Sequence, residues 1–501
     1  MMYWKTASAA AIAAGLAWAG PASADVTAKG VWESWKTLGQ SYGQTITATE
    51  QMSGDTLTVS DITLSMTIPQ GGSVTGTVGE ITFTQRRDGT VAIEMSPEYP
   101  IRATTVSATG EALDMGMTVR QTGLSMIASG DADQTAYDFV APQVAVTLDR
   151  ALLDGAPMDM TLDMGMDRVT GKYTLTQGEL RRIDTDLNAD ALRFDMSAVN
   201  PDDATRVAIA MTLEKLASTS VSALPADMQT SDLGKMLAAG FTSKGGLRHG
   251  AMTYRMDVTE DAGQSQVAAT ATGGTLDFDL GDGGMMYDVA STGTTVVLKG
   301  PQIPFPQVEI AMADSAFKMQ MPLIMTEEPA DFALLTRLEG LRISDQIWAM
   351  FDPTAQLPRD PATLIVDLAG KARWLVDVTD PTQANSDAAP GELHALRVND
   401  LRLSLAGVDL SGEGAFTFDN ADTTTFDGFP KPTGSLALRL VGANGLMDKL
   451  VAMGLIPQDQ AMGMRMMLGM FARPGGGEDT MVSEITVTEG GQVLANGQRL
   501  R

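Results

Sequence analysis

The 501-residue sequence contains no cysteine, two histidines and few aromatic residues. Without cysteine there is no disulfide, no thiolate nucleophile and no cysteine-ligated metal, so stability has to come from burial. With histidine confined to His249 and His394, distant in sequence, a histidine-rich zinc site cannot be built, and a Ser-His pair would have to recruit one of these two. Basic residues are also scarce. Thirty-five Lys and Arg stand against 62 Asp and Glu, a net charge of −27, which argues against attraction to nucleic acid or to an anionic membrane surface. Phosphate-cradling glycine motifs are missing, as is a Gly-x-Ser-x-Gly elbow. Ser315 and Lys318 share Ser-x-x-Lys spacing, but Phe317, Met319 and Met321 place them on a strand, where that motif does not work.

The one long apolar run lies at the N-terminus. Met1 to Lys5 carry a single positive charge, Thr6 to Ala19 are apolar with Ile12, Leu16 and Trp18, and Gly20-Pro21 break the run ahead of the small residues Ala22-Ser23-Ala24. This order predicts a signal peptide over residues 1–24, cleaved after Ala24, and a periplasmic protein. The run is shorter than the about 20 residues that span a bilayer, so the sequence predicts no transmembrane span in the mature chain. No cysteine follows the cleavage point to carry a lipid.

From there on, apolar residues recur at every second position. Ile62, Leu64, Met66 and Ile68 alternate with polar residues, as do Val91, Ile93 and Met95 after the turn Asp88-Gly89. The clearest run is Met158, Met160, Leu162, Met164 and Met166, whose opposite face reads Asp159, Thr161, Asp163, Gly165 and Asp167. Period two is the mark of a half-buried strand. Repeated at short spacing, it predicts a mainly β protein: a long twisted or curled antiparallel sheet with a few docked helices.

Helical spacing is confined to three places: near 225–241, near 344–351 with Ser344 as cap and Asp352-Pro353 as stop, and near 444–473 as a pair divided by Ile456-Pro457. A strand, a helical segment, a glycine turn and a further strand follow one another around Val207 to Gln264 and again around Leu436 to Gln492. That repetition suggests two similar β-rich halves, 25–270 and 271–501.

The segment from Leu341 through Ser344, Trp348, Phe351, Asp352 and Pro353, followed by Leu357-Pro358-Arg359-Asp360-Pro361 and Gly370, resembles domain of unknown function 2125, a family of uncharacterised exported proteins of Gram-negative bacteria. The resemblance implies no activity. Leu401 to Phe418 is similar to the strand repeats of AsmA-like envelope proteins, which implies a sheet with a greasy face and a link to lipid handling.

Methionine is the compositional anomaly, 33 in the chain, many as Met-x-Met. Such residues can fill sheet and helix interiors in place of Leu and Ile, or they can line a permissive surface that accepts acyl chains. Copper(I) binding by thioethers is disfavoured, because alternating strand positions do not converge on one ion. Asp159, Asp163 and Asp167 are about 13 Å apart along a strand, too far to share a cation. Trp348, Asp352, Pro353 and Arg359 read as a motif that packs a short helix and ties its loop.

The sequence therefore predicts a protein that is not an enzyme and needs no cofactor, with Met158, Met160, Leu162, Met164 and Met166 as the face for a lipid or other hydrophobic ligand. The rival reading is a structural or interaction component with a closed core and envelope protein partners. A hydrolase built on two unmarked carboxylates stands last.

Overall fold

The computed structural model describes residues 26–68, 71–106, 110–225, 233–379 and 390–501. The signal peptide expected over residues 1–24 lies outside them, as do Pro69-Gln70, the first part of the helix expected near 225–241 and residues 380–389. The fold is mainly β. The chain forms two compact units, one comprising residues up to Gly273 with Gly300–Gln302, the other Gly274–Lys299 with Ile303–Arg501.

The first unit is an antiparallel sheet divided into two lanes. Long strands such as Thr56–Ile68, Gln134–Leu153, Met160–Thr176, Leu180–Val199 and Arg206–Pro225 run through both lanes. Between them stand pairs of shorter strands, one in each lane. Gly72–Gln85 bonds to both Val91–Met95 and Glu98–Val106, Gln134–Leu153 to both Ala112–Thr122 and Ser125–Gly130, and Arg206–Pro225 to both Thr242–His249 and Met252–Glu260.

Where the lanes meet, each long strand leaves a residue out of the ladder. The register passes from Ser60–Glu80 to Ile62–Val78, from Asp167–Gln143 to Val169–Ala141, and from Ala189–Leu216 to Ala191–Glu214. Asp61, Arg168 and Lys215 take the left-handed backbone there, with φ of 52°, 47° and 53°. The extra residue reverses the parity of the apolar pattern. Buried residues are odd-numbered at Leu57 and Val59 but even-numbered at Ile62, beyond Asp61. A crease of this kind is what one bulge per strand produces when the bulges align.

One lane is closed. Leu57, Val59, Ile81, Phe83, Val91, Ile93, Met126, Tyr137, Phe139 and Leu175 form its core with the helix α1 (Ala28–Ser41) laid over it. Val31 and Trp32 of α1 are each 2% exposed, and burial of such side chains contributes about 2–3 kcal/mol apiece. The helix is fixed at its start by Thr27 Oγ1, which accepts from Gly30 N–H at 3.0 Å, and by Gln85, which bonds Val26 and Ala28. Trp32 Nε1 donates to Glu50 Oε1 at 2.7 Å and Lys36 Nζ to the same oxygen at 2.8 Å; these bonds hold the Glu50 carboxyl below its ordinary range.

The second unit is an antiparallel meander from Gly284–Lys299 through Val308–Met321, Ala330–Ile343, Ala362–Trp374, Gly391–Leu405, Val408–Asp419 and Lys431–Val441, which pairs with Thr480–Val487. A crease recurs at Gly293 and Gly340, where φ is 59° and 66°. A β-carbon on Gly340 would lie 2.7 Å from that of Ala313, so the backbone approach there demands glycine.

Helix α1 is not foreseen by the sequence pattern, which gives helical spacing only near 225–241, 344–351 and 444–473; the helices at those three places differ from the expectation in their ends. Near 225–241 the described part of helix α2 is Leu233–Ala238; Pro225 belongs to the ladder of the preceding strand, and Gly240 ends the helix at φ 92°. Helix α3 is Asp345–Phe351, and the C-terminal pair are α4 (Ala443–Ala452) and α5 (Gln458–Phe471). Ser344 precedes α3 without capping it by its side chain; its hydroxyl oxygen instead accepts from Glu309 N–H at 3.4 Å.

Candidate apolar ligand face

The Met158–Met166 run lies in the other lane of the first unit. Met158 precedes the strand, just after the short strand Ala156–Pro157, with its N–H bonded to the Ala151 carbonyl; the strand itself begins at Met160. Met160, Leu162, Met164 and Met166 are all half-buried, while Asp159, Thr161 and Asp163 are exposed. The apolar side is therefore neither closed core nor open surface.

Neighbouring strands extend it. Across the ladder Met164 faces Val146 on one side and Phe194 on the other; Phe194 faces Met211, Met211 faces Tyr254, and Tyr254 faces Ala269. A parallel row joins Leu162, Met196, Ile209, Met256 and Val267, and a third joins Val144, Met166, Leu192, Leu213 and Met252. These residues are half-buried; Val144, Met166, Leu192 and Leu213 of the third row pack against the closed core under α1, whereas the first two rows stand apart from it. From Val146 to Ala269 the row crosses five strand spacings, about 24 Å, and Met160 to Met166 adds about 20 Å along the strand, so the floor is on the order of 500 Å². That is the size of the largest apolar patch on an ordinary monomer.

The reverse face carries the charge. Asp167 accepts from Arg193 at 2.5 Å and Asp159, just before the strand, from Arg206 at 3.1 Å, so two of the three aspartates of this run hold arginines. Asp190 pairs with Arg168 at the crease.

The Trp348 motif belongs to the second unit. Trp348 is 7% exposed, packs on Phe351 with ring centroids 5.1 Å apart and has the Arg359 guanidinium 5.7 Å from its ring. Asp352 is fully buried, and its two carboxylate oxygens accept from the N–H groups of Gln356 at 2.8 Å and Leu357 at 2.9 Å. Arg359 reaches Asp345 at 2.7 Å and the carbonyl of Asp352 at 3.3 Å. Burial pushes the Asp352 carboxyl up, but the two N–H groups and the Arg359 charge outweigh it and leave the group below its ordinary range. With both oxygens engaged, Asp352 organises the loop that Pro353 opens. Each histidine has a local partner: His249 Nδ1 lies 2.9 Å from the Gly250 carbonyl oxygen, and His394 Nε2 lies 3.2 Å from Glu392.

Sequence reasoning found the Met run but not its partners. Val146, Phe194, Met211 and Tyr254 each lie on a recognisable strand, yet only the register places them in one row. It also treated the methionines of α5 with those of the strands. Met462, Met466, Met467 and Met470 are exposed, because α5 buries only Ala461.

Among the described residues no helix is long and apolar enough to cross a membrane. Residues 251–496 match the model of a family described as an uncharacterized protein conserved in bacteria, DUF2125. No curated protein and no solved structure matches the chain, so the likeness of Leu401 to Phe418 to AsmA-like repeats has no counterpart there.

Proposed function

With residues 251–496 belonging to DUF2125, we propose that the protein is an exported envelope component that binds a lipid or other hydrophobic ligand and acts by binding rather than by catalysis. The ligand lies on the apolar lane of the first unit, along Met160, Leu162, Met164 and Met166 and the residues that continue their rows. The carrying observation is the half-burial of that lane beside a core that is closed. Unbranched, polarizable methionine side chains suit acyl chains of varied length, since they repack at small cost. The N-terminal segment, with its charged start, apolar middle and Ala22-Ser23-Ala24, supports export to the periplasm.

The test is native mass spectrometry of protein purified gently from the periplasm, followed by organic extraction. Phospholipid or acyl species at fixed stoichiometry are expected. A clean apo mass that stays unchanged when lipid is offered would remove the ligand reading.

A further inference from the structure

The strand Gln44–Ser53 forms an edge of the first unit's sheet. It pairs with Thr56–Ile68 on one side, and among the described residues no strand pairs with the other. Alternate residues therefore direct their N–H and C=O groups away from the ladder. The extra residue at the crease, Asp61, belongs to the neighbouring strand, so this one alternates without a break. Gln44, Ile46, Ala48, Glu50 and Met52 lie on the side of α1, and Thr45, Thr47, Thr49, Gln51 and Ser53 on the reverse side.

Edge strands of soluble proteins are blunted by lysine, proline, a bulge or shortness. None of these protects Gln44–Ser53. It is 10 residues long, about 34 Å, with no lysine and no proline. Its one charge, Glu50, is turned to α1, where Trp32 and Lys36 hold it. All of the strand but Gln44 and Ile46 is exposed, and Met52, across the ladder from the core residue Leu57, is 57% exposed. The last strands of the second unit show the protected form: Val493–Ala495 and Gln498–Arg499 are short, and Arg499 and Arg501 close the chain.

Open backbone groups specify an extended strand as the occupant, and charge and side-chain pattern select which one. Residues 26–54 contain Lys29 and Lys36 against Glu33 and Glu50, no net charge in a chain of −27. Neutrality removes the repulsion that would keep a second copy away, and it gives a basic partner nothing to prefer. A two-fold axis through Thr49, perpendicular to the sheet, sets Thr45–Ser53 of two copies antiparallel. Thr49 then meets its own counterpart, Thr47 meets Gln51, Ile46 meets Met52 and Glu50 meets Ala48. Apolar residues face each other on one side and hydroxyl and amide groups on the other, and no like charges are opposed.

We propose that Gln44–Ser53 pairs with the same strand of a second copy and joins two first units into one antiparallel sheet. The pairing does not depend on a ligand on the Met164 lane. Analytical ultracentrifugation of the purified protein should show a dimer at micromolar concentration. The double substitution Thr47→Lys with Thr49→Lys makes each chain less acidic, yet it should weaken the dimer at least about tenfold, because like charges then face each other across the axis. Thr47→Glu with Thr49→Glu should weaken it as well. An equimolar mixture of the two variants should dimerise again, since opposite charges meet, and that recovery shows that neither variant is simply misfolded. A monomer, alone or with a foreign chain on the edge, would overturn the proposal. So would a dimer indifferent to the substitutions, or a mixture of the two variants that stays monomeric.

Discussion

Phe139 stands directly across the ladder from Gly171, and its ring lies 2.8 Å from the position a β-carbon on Gly171 would occupy. The second unit repeats the device, with Phe332 opposite Gly370 and its ring 2.5 Å from the equivalent position. In both places glycine makes room for an aromatic ring to lie over the neighbouring strand. Gly171→Ala should therefore destabilise the first unit by about 1–3 kcal/mol, the usual cost of overpacking. Gly165 on the same strand has no heavy atom within 4 Å of its β-position, and Gly165→Ala should be neutral or stabilising by up to about 1 kcal/mol. Urea unfolding of the two variants checks the contrast, and equal midpoints would refute it.

Lys215 holds φ of 53° at the crease, a conformation that costs an L-residue roughly 1–2 kcal/mol. Lys215→Gly should relieve that cost and raise the unfolding midpoint, whereas Lys215→Val, β-branched, should lower it. If Val is tolerated as well as Gly, the left-handed bulge at this position is not required for the fold.

Most of the β architecture is legible because polar–apolar alternation is a local property. The break in that alternation between Met166 and Val169, or between Leu213 and Leu216, is equally visible in the sequence, but a single break reads as the end of a strand. Only pairing reveals that Asp61, Arg168 and Lys215 break at the same line across the sheet. The same limit hides the extent of the apolar face, since Met164 and Phe194 are neighbours through register. For α5 the sequence offers a helix with apolar residues on several sides, and which side finds a partner depends on how far the helix stands from the ladder.

Trp348 is buried against Phe351 while Arg359 covers its ring, so Trp348→Ala should cost about 3–5 kcal/mol, the range for deleting a buried large aromatic. Asp352→Asn should also lower the unfolding midpoint of the second unit, because one of the two acceptors for Gln356 and Leu357 is lost. Differential scanning calorimetry would show both effects in the transition of this unit; a change confined to the other unit would contradict the assignment.

The Asp422 carboxylate is drawn down to about 2 by the N–H and hydroxyl of Thr425, aided by Lys431 and Thr424. An unfolded aspartate titrates near 3.9. Since the folded value is the lower one, the stabilisation is complete above about pH 4 and disappears as pH falls towards 2. Carbon-detected NMR titration should place the Asp422 midpoint near 2. Asp422→Asn should flatten the acid limb of the stability curve over the same interval, and a midpoint near 4 would mean that the loop bonds do not hold in solution.

Met164 is the second residue of the longest apolar row, between Val146 and Phe194, and is half-buried. A carboxylate placed there would have no partner on a face otherwise lined by Met, Val and Phe, so it would repel an acyl chain and also cost stability. Met164→Leu keeps volume and polarity and separates the two effects. Asp163→Ala changes the adjacent, exposed position on the reverse face. If the row is the ligand floor, Met164→Asp should abolish co-purified lipid while Met164→Leu and Asp163→Ala retain it at unchanged stoichiometry. Equal lipid content in all three, with Met164→Asp folded by circular dichroism, would place the ligand elsewhere on the protein.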